Sequence, residues 1–272
     1  MKVEEGSFVL VSYTAWVLNG EEKVIDTTYE EVAREAGIYR EGTVYEPELV
    51  IVGEKFLLEP VEKALIGMEE GEEKEIVLEP KDAFGERDPK KIRILSAREL
   101  VRRNIIPRVG EEVEINGQRG RIIRVGAGRV VIDFNHPYAG RKVKFKVKVE
   151  KILTELSEKL AELFHRWFRG IPREEIKAEV EDGKAVVESP VTILGYEGAH
   201  ILVQGFTRDV EKYLNEIEMV NIVIGIEVKR PEKKEEAGES GEASETSEEG
   251  GAEPPSSEEA AASSQTAGET GE

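Results

Sequence analysis

The segment Lys142–Ile152, KVKFKVKVEKI, alternates apolar and charged residues almost without a break. Val143, Phe145, Val147 and Val149 fall on one face, and lysines with Glu150 fall mostly on the other. A period of two with one wet face marks a half-solvated antiparallel sheet. Such a strand needs flanking strands and an apolar element on its dry side. Val9–Trp16 alternates, is β-branched and aromatic, and reads as one flanking strand. Asn19-Gly20 then signals a two-residue hairpin, with Lys23–Asp26 as the return strand. Glu46–Gly53 reads as a further strand, with Val50 and Val52 on one face and Leu49 and Ile51 on the other.

The apolar element lies in Leu57–Pro89. Pro60 falls in a first helical turn, where its missing N–H costs little. Glu59 and Lys63 have the spacing of a pair on the wet face. Val61, Ala64 and Leu65 form the apolar stripe; Gly67 ends the helix and Met68 tucks back against it. Glu70-Gly71 turns the chain into a strand at Lys74–Leu78, stopped by Pro80. This helix, turn and strand are expected to floor an apolar pocket. Thr28 and Glu31 have capping-box spacing, which predicts a short helix through Ala36.

After Phe84-Gly85 the character changes. Lys91–Leu95 reads as a strand, Ser96 with Glu99 as a capping box for Ala97–Arg103, and Glu112–Phe134 as consecutive hairpins turned at Asn116-Gly117 and Gly126-Ala127-Gly128. This small β-rich stretch interrupts something else and reads as a domain inserted in a loop. Its apolar residues include Leu100, Ile105, Ile106, Ile115 and Ile122; so small a unit buries little core, and some are expected to stay exposed. Asn135–Gly140 is a turn. Beyond it, Leu153, Leu156, Leu160, Leu163, Phe164, Trp167 and Phe168 recur at helical spacing. A hairpin over Ile176–Glu188, a strand at His200–Gln204, a helix at Arg208–Ile217 and a strand at Val220–Lys229 follow. The expected organisation is a first domain over 1–86 and 134–152, an insert over 87–133, an α+β domain over 153–230, and a tail over 231–272. The crowded face of Phe164, Trp167 and Phe168 has two readings: core, or a homodimer contact made through 153–230.

Charge narrows the function. Of the net −19, the 13 glutamates and two lysines from Pro231 onward carry −11, leaving −8 on the first 230 residues. Nucleic-acid affinity comes largely from Lys and Arg neutralising phosphates, so a nucleic-acid partner is not expected. The tail is Glu-, Ser-, Gly-, Ala- and Pro-rich and cannot bury enough surface to fold. No apolar run approaches the roughly 20 residues of a membrane span. The chain has no cysteine, and no signal peptide is evident at its start, so a cytoplasmic location is expected.

The residues quoted so far resemble an FKBP-type peptidyl-prolyl cis–trans isomerase of the SlyD-like class, in a long archaeal-type form. Val11-x-Tyr13, Ile25-Asp26-x-Thr28, VGEKFLLEPVEKALIGMEEGEEK from Val52, DAFG at Asp82–Gly85 and DFNHPYAGRKVKFKV from Asp133 carry the resemblance over residues 1–152. It implies an α+β fold: an antiparallel half-barrel around a short helix, with an inserted β-rich flap domain and a C-terminal α+β domain. It implies an enzyme acting on X–Pro bonds of unfolded or partly folded polypeptides, with the insert holding clients. Tyr13, Asp26 and Phe84 are its expected catalytic residues. Ile25, Phe56, Leu57, Leu58, Val61, His136, Tyr138 and Phe145 are its expected substrate contacts, with the Leu57 and Leu58 backbone as the grip. Asp26 serves equally well as a turn or cap residue, and His136 reads first as a turn residue. Val61 stands where small family members carry tryptophan, Ile25 where they carry phenylalanine, and Phe84 where a tyrosine hydroxyl is common. The pocket is therefore expected to be shallower, with one donor fewer. No cofactor is implied, and with histidines only at 136, 165 and 200 no metal site is expected. A holding chaperone with a weak isomerase pocket is the alternative.

Overall fold

The computed structural model describes residues 1–226. The acidic segment from Pro231, and the end of the strand expected to reach Lys229, lie outside the described residues. In chain order the elements are β1 (Phe8–Asn19), β2 (Glu21–Thr27), α1 (Glu30–Glu35), β3 (Glu48–Ile51), α2 (Glu59–Leu65), β4 (Glu73–Leu78), β5 (Ile92–Ser96), α3 (Ala97–Arg102), β6 (Glu112–Ile115), β7 (Gln118–Gly126), β8 (Arg129–Asp133) and β9 (Lys142–Leu153). They continue as α4 (Leu156–Trp167), β10 (Lys177–Glu181), β11 (Lys184–Pro190), α5 (Ala199–Tyr213) and β12 (Met219–Gly225). The fold is α+β. Among the described residues no helix is long and apolar enough to cross a membrane.

The first sheet runs in the order β2, β1, β9, β4, with β3 added to the N-terminal half of β1, and every pair is antiparallel. Alternation decides what it buries. Val9, Val11, Tyr13 and Ala15 of β1 share an inner face with Val143, Phe145, Val147 and Val149 of β9. α2 lies against that face, with Val61 and Leu65 fully buried and Met68 tucked in behind Gly67. Each such aliphatic side chain contributes about 1.5–3 kcal/mol on burial. On the outer face Lys142, Lys144 and Lys146 pair with Glu79, Glu22 and Glu73. The Lys142 and Lys146 pairs are solvated and add little stability, while Lys144 is mostly covered and lies over the Trp16 ring.

β5 to β8 lie in sequence between the neighbouring strands β4 and β9, and form their own sheet in the order β5, β8, β7, β6. Leu100, Ile115, Ile122, Val130 and Ile132 make its core. Of the isoleucines among which some were expected to stay exposed, Ile115 and Ile122 are inside, whereas Ile106 is exposed. Gly120 of β7 must be glycine: a Cβ there would sit 2.7 Å from Phe134 and 2.8 Å from Ile132.

The C-terminal elements do not stand apart. Phe8 and Leu10 of β1, and Leu49 and Ile51 of β3, point away from α2 into a second core with Leu160, Leu163, Phe164, Phe168 and Phe206. Phe164 and Phe168 are fully buried there, with rings stacked at 4.7 Å, and Phe206 meets Phe164 edge-on at 5.2 Å. The aromatic face offered as a dimer contact is core within the chain, which removes the observation that suggested a dimer. β10, β11 and β12 form a third sheet, antiparallel then parallel. The parallel step needs a crossover, and α5 supplies it.

Three local expectations are corrected. His200–Gln204 is not a strand but the first turns of α5; a short apolar run is ambiguous in period, and the buried Phe206 and Val210 four apart settle it as helix. Thr28 does not cap α1, which begins after Tyr29 without a side-chain cap. Its hydroxyl instead accepts the Tyr13 N–H at 2.9 Å. Ser96 makes no cap bond to α3, and Glu99 pairs with Arg103 at 3.2 Å rather than reaching back.

Candidate active site

The concave face of the first sheet, α2 and the two loops that close over them bring most of the expected site together. Tyr13 projects inward from β1 and is largely buried, with its ring 6.1 Å from that of Phe145. Its hydroxyl donates to Asp26 Oδ2 at 3.0 Å, and the Thr27 N–H donates to Oδ1 at 2.9 Å. Both oxygens of the carboxylate are therefore held. β2 presents Asp26 because it pairs with β1 through an irregularity at Ala15 and Trp16, with Asp26 opposite Ala15. Burial, with the Glu48 and Asp26 carboxylates nearby, holds the Tyr13 phenol far above its ordinary range. It stays a proton donor at any physiological pH.

Val61 and Phe145 floor the site, and Ile25, Leu57, Leu58 and Phe84 pack against the same core while remaining partly exposed. Phe84 lies after the short 3-10 turn Pro80–Asp82. It stacks on His136 at 4.4 Å and tilts against Tyr138 at 5.6 Å. His136 makes the turn contact expected of it and stacks on Phe84. Its Nδ1 accepts the Tyr138 N–H at 3.3 Å, a turn contact, and its ring forms part of the aromatic rim. Asp26 likewise orders its turn, accepting the Thr27 N–H and the Tyr13 hydroxyl.

Phe56 sits differently from the rest. It packs against both cores, and its ring lies under the Arg166 guanidinium at 4.7 Å and 6.2 Å from Tyr213. Its principal partners are C-terminal residues.

The backbone grip is narrower than expected. The Leu57 N–H donates to Glu62 Oε1 at 2.8 Å, and the Leu58 carbonyl accepts from Val61 and Glu62 at 2.8 and 3.1 Å as α2 begins. The Leu57 carbonyl and Leu58 N–H, the two halves of one peptide unit, take no hydrogen bond among the described residues.

Glu62 is the residue that sequence reasoning missed. Its side chain is buried, and its carboxylate accepts N–H bonds from Gly53, Lys55 and Leu57 at 2.9, 3.2 and 2.8 Å. These bonds fold the loop leading into α2, where Gly53 has φ +97° and Lys55 φ +63°. Left-handed backbone at a lysine costs roughly 1–2 kcal/mol and persists only where its surroundings hold it. The signal in the sequence was a glutamate three residues before Leu65, on the apolar side of the helix.

No group of three or more His, Asp or Glu side chains among the described residues is placed to hold a metal ion. A cavity of about 400 Å³ lies beside the aromatic rim, lined by arginines and by His136.

Comparison with known proteins adds to this geometry. The family model described as FKBP-type peptidyl-prolyl cis-trans isomerase matches residues 1–101, and one described as FKBP26, IF domain matches residues 93–138. The chain is 38% identical over 156 residues to the short-type peptidyl-prolyl cis-trans isomerase of Methanocaldococcus jannaschii, covering 98% of that protein and 57% of this one. It is 31% identical over 155 residues to the FKBP-type 16 kDa peptidyl-prolyl cis-trans isomerase of Escherichia coli, covering 93% and 55% respectively. With the isomerase SlyD of Aeromonas hydrophila it shares 28% identity over 166 residues, 69% of that protein and 59% of this one.

Proposed function

The chain belongs to the FKBP-type peptidyl-prolyl cis–trans isomerase family, and from that premise we propose that its reaction is carried by Tyr13, Asp26 and Phe84 over a floor of Val61 and Phe145. The observation that carries the reading is the Tyr13–Asp26 bond beside an apolar core that Leu57 and Leu58 also join. An X–Pro bond turns over a barrier of about 18–20 kcal/mol and exchanges in tens to hundreds of seconds unaided. No covalent step is needed. The site has only to favour the twisted amide, whose conjugation is lost, over the planar and more dipolar one. Val61, Leu58 and Phe145 keep water off the prolyl ring, and water is what stabilises the planar form. Asp26, held from both sides, places fixed negative charge near the carbonyl carbon, which becomes more electrophilic as the bond twists. The Leu58 N–H holds the substrate backbone, and Ile25, Phe84, His136 and Tyr138 close the rim. Phe84 offers no hydroxyl, so the pocket works with apolar contact there. The test is isomerisation of a short X–Pro peptide, followed by exchange NMR, with wild type, Asp26→Ala and Tyr13→Phe. Loss of about 10-fold or more in kcat/KM for Asp26→Ala supports the assignment. Wild-type turnover in both variants overturns it.

A second activity has its own observation. Ile94, Val101, Ile106 and Val109 of the inserted segment are 62, 58, 69 and 65% exposed. Such surface suits unfolded polypeptide with X–Pro bonds, and we infer that 87–133 forms a client-holding domain beside the isomerase domain of 1–86 and 134–152. Replacing these four residues by serine should abolish acceleration of a proline-limited protein refolding reaction and spare short-peptide turnover. Equal loss of both refutes the client-holding role.

A further inference from the structure

The isomerisation chemistry makes no use of the arginine-lined cavity. It opens between β6 and β7 of the inserted segment and the loop that leads back to β9, and Arg87, Arg119, Arg121 and Arg141 line it. Two carboxylates are present, and neither neutralises the set. Asp133 is spent on Arg87 at 2.6 Å and on the backbone and side chain of Asn135. Glu112 stands opposite Arg121 in the β6–β7 register, yet the two do not reach ion-pair distance. Arg119 is offset by Glu114 at 3.6 Å. Arg121 is anchored by Nε to the Gly110 carbonyl at 3.0 Å, which leaves the rest of its guanidinium open. Arg141 is half-buried. Among the described residues neither Arg121 nor Arg141 has a carboxylate within ion-pair distance. The first 230 residues carry −8 overall, so this is a basic cleft on an acidic molecule.

The cleft adjoins the aromatic rim of the candidate isomerase site. His136 lines it and also stacks on Phe84 at 4.4 Å. The two loops that separate the sites are tied by the Gly140 N–H to the Gly85 carbonyl at 2.8 Å. A client strand advances about 3.3 Å per residue, so residues close to a bound proline pass over His136 into the arginines. We propose that this cleft is a specificity subsite for Asp and Glu side chains flanking the X–Pro bond, an inference that rests on the isomerase assignment of the neighbouring pocket. Guanidinium groups match carboxylates in charge and in planar, bidentate geometry.

The test uses the full chain and two peptides with one X–Pro core, flanked by glutamates in one and by serines in the other. Wild type should turn over the acidic peptide about three- to tenfold faster in kcat/KM at low salt. That ratio should fall towards one at about 0.5 M salt. In Arg121→Gln/Arg141→Gln it should be one at low salt too, with serine-peptide turnover unchanged. Equal turnover of the two peptides by wild type overturns the proposal, as does a preference that survives in the double variant. If the serine peptide is not turned over at all, the isomerase assignment fails separately. Fluorescence anisotropy of a labelled glutamate-rich peptide lacking proline then decides: binding that needs both arginines sustains the subsite, and no binding overturns it. Arginine-dependent binding of an oligonucleotide tighter than that of the acidic peptide also overturns it, in favour of a nucleic-acid surface.

Discussion

Glu62→Gln isolates what holds the proposed substrate grip in place. The carboxylate takes Gly53, Lys55 and Leu57 N–H groups on two oxygens, with Gly53 and Lys55 sharing Oε2 and Leu57 on Oε1. Glutamine has one acceptor oxygen. If it faces Gly53 and Lys55, its NH₂ confronts the Leu57 N–H, and that donor is orphaned against another donor. A hydrogen bond to a charged group is worth about 1.5–3 kcal/mol, so Glu62→Gln should cost about that much. Glu62→Ala, which abandons all three donors, should cost about 3–5 kcal/mol, limited by water reaching the exposed end of the loop. Activity should fall further than stability alone explains. Leu57 N–H and the Leu57–Leu58 peptide are neighbours, and a shift of about 1 Å in a positioning group can cost about 100-fold. The measurement pairs urea denaturation with peptide turnover at a temperature where every variant is folded. Lys55→Gly relieves the left-handed lysine and should return up to about 1 kcal/mol of stability without restoring turnover. Should Glu62→Gln match wild type within about 0.5 kcal/mol and in kcat/KM, the carboxylate does not order this loop.

Two further outcomes follow from the second core. His165 is buried, and burial together with Arg173 and Arg169 pushes its imidazole down to about 4. An unfolded histidine titrates near 6.5. The folded state thus binds fewer protons between these values; the stability His165 contributes is complete above about pH 6.5 and falls by up to about 3 kcal/mol as pH drops towards 4. Urea midpoints at about pH 7 and pH 4.5 should diverge less in His165→Gln than in wild type, and identical divergence refutes the assignment. Gly205→Ala should destabilise the chain by about 1–3 kcal/mol despite the better helix former. Its Cβ would lie 2.4 Å from the Trp167 ring, which the Asp209 carboxylate holds through Nε1 at 2.8 Å. A raised melting temperature would show that the ring can move.

What was legible in the sequence depended on period. β1, β4 and β9 announce themselves because one face is wet and the alternation is clean. α2 announces itself through Pro60, the Val61–Leu65 stripe and Gly67. α5 does not, because HILVQ carries no polar residue between its apolar ones until Gln204. Capping-box spacing misled twice, at Thr28 and Ser96. In the first case the hydroxyl had a better use: a bond across to β1 that tightens the strand holding Tyr13. Of the candidate site, the side chains were legible through their resemblance to a family. The Leu57 and Leu58 backbone was legible with them, but not that Glu62 takes the Leu57 N–H and leaves only the Leu57 carbonyl and Leu58 N–H unbonded; no spacing rule encodes a buried carboxylate turned onto its own preceding loop.

The alternation of Glu46–Gly53 held more than it first conveyed. A strand apolar on both faces belongs between two layers. Val50 and Val52 serve the pocket core, and Leu49 and Ile51 serve the core built with α4 and α5. β1 repeats the pattern with Val9 and Val11 against Phe8 and Leu10. Phe56 stands where the two cores meet, at the entrance to the loop that Glu62 orders, with Arg166 on one of its faces. Arg173 ties Glu46 and the Pro47 carbonyl to Glu162 of α4 at the far end of the same strand. The C-terminal elements therefore brace the loop that sets the Leu57–Leu58 peptide. Their removal would uncover Leu49, Ile51, Phe8 and Leu10 at once, so a chain cut after Leu153 should be less stable than the full chain and, through Phe56, less ordered at the Leu57–Leu58 peptide.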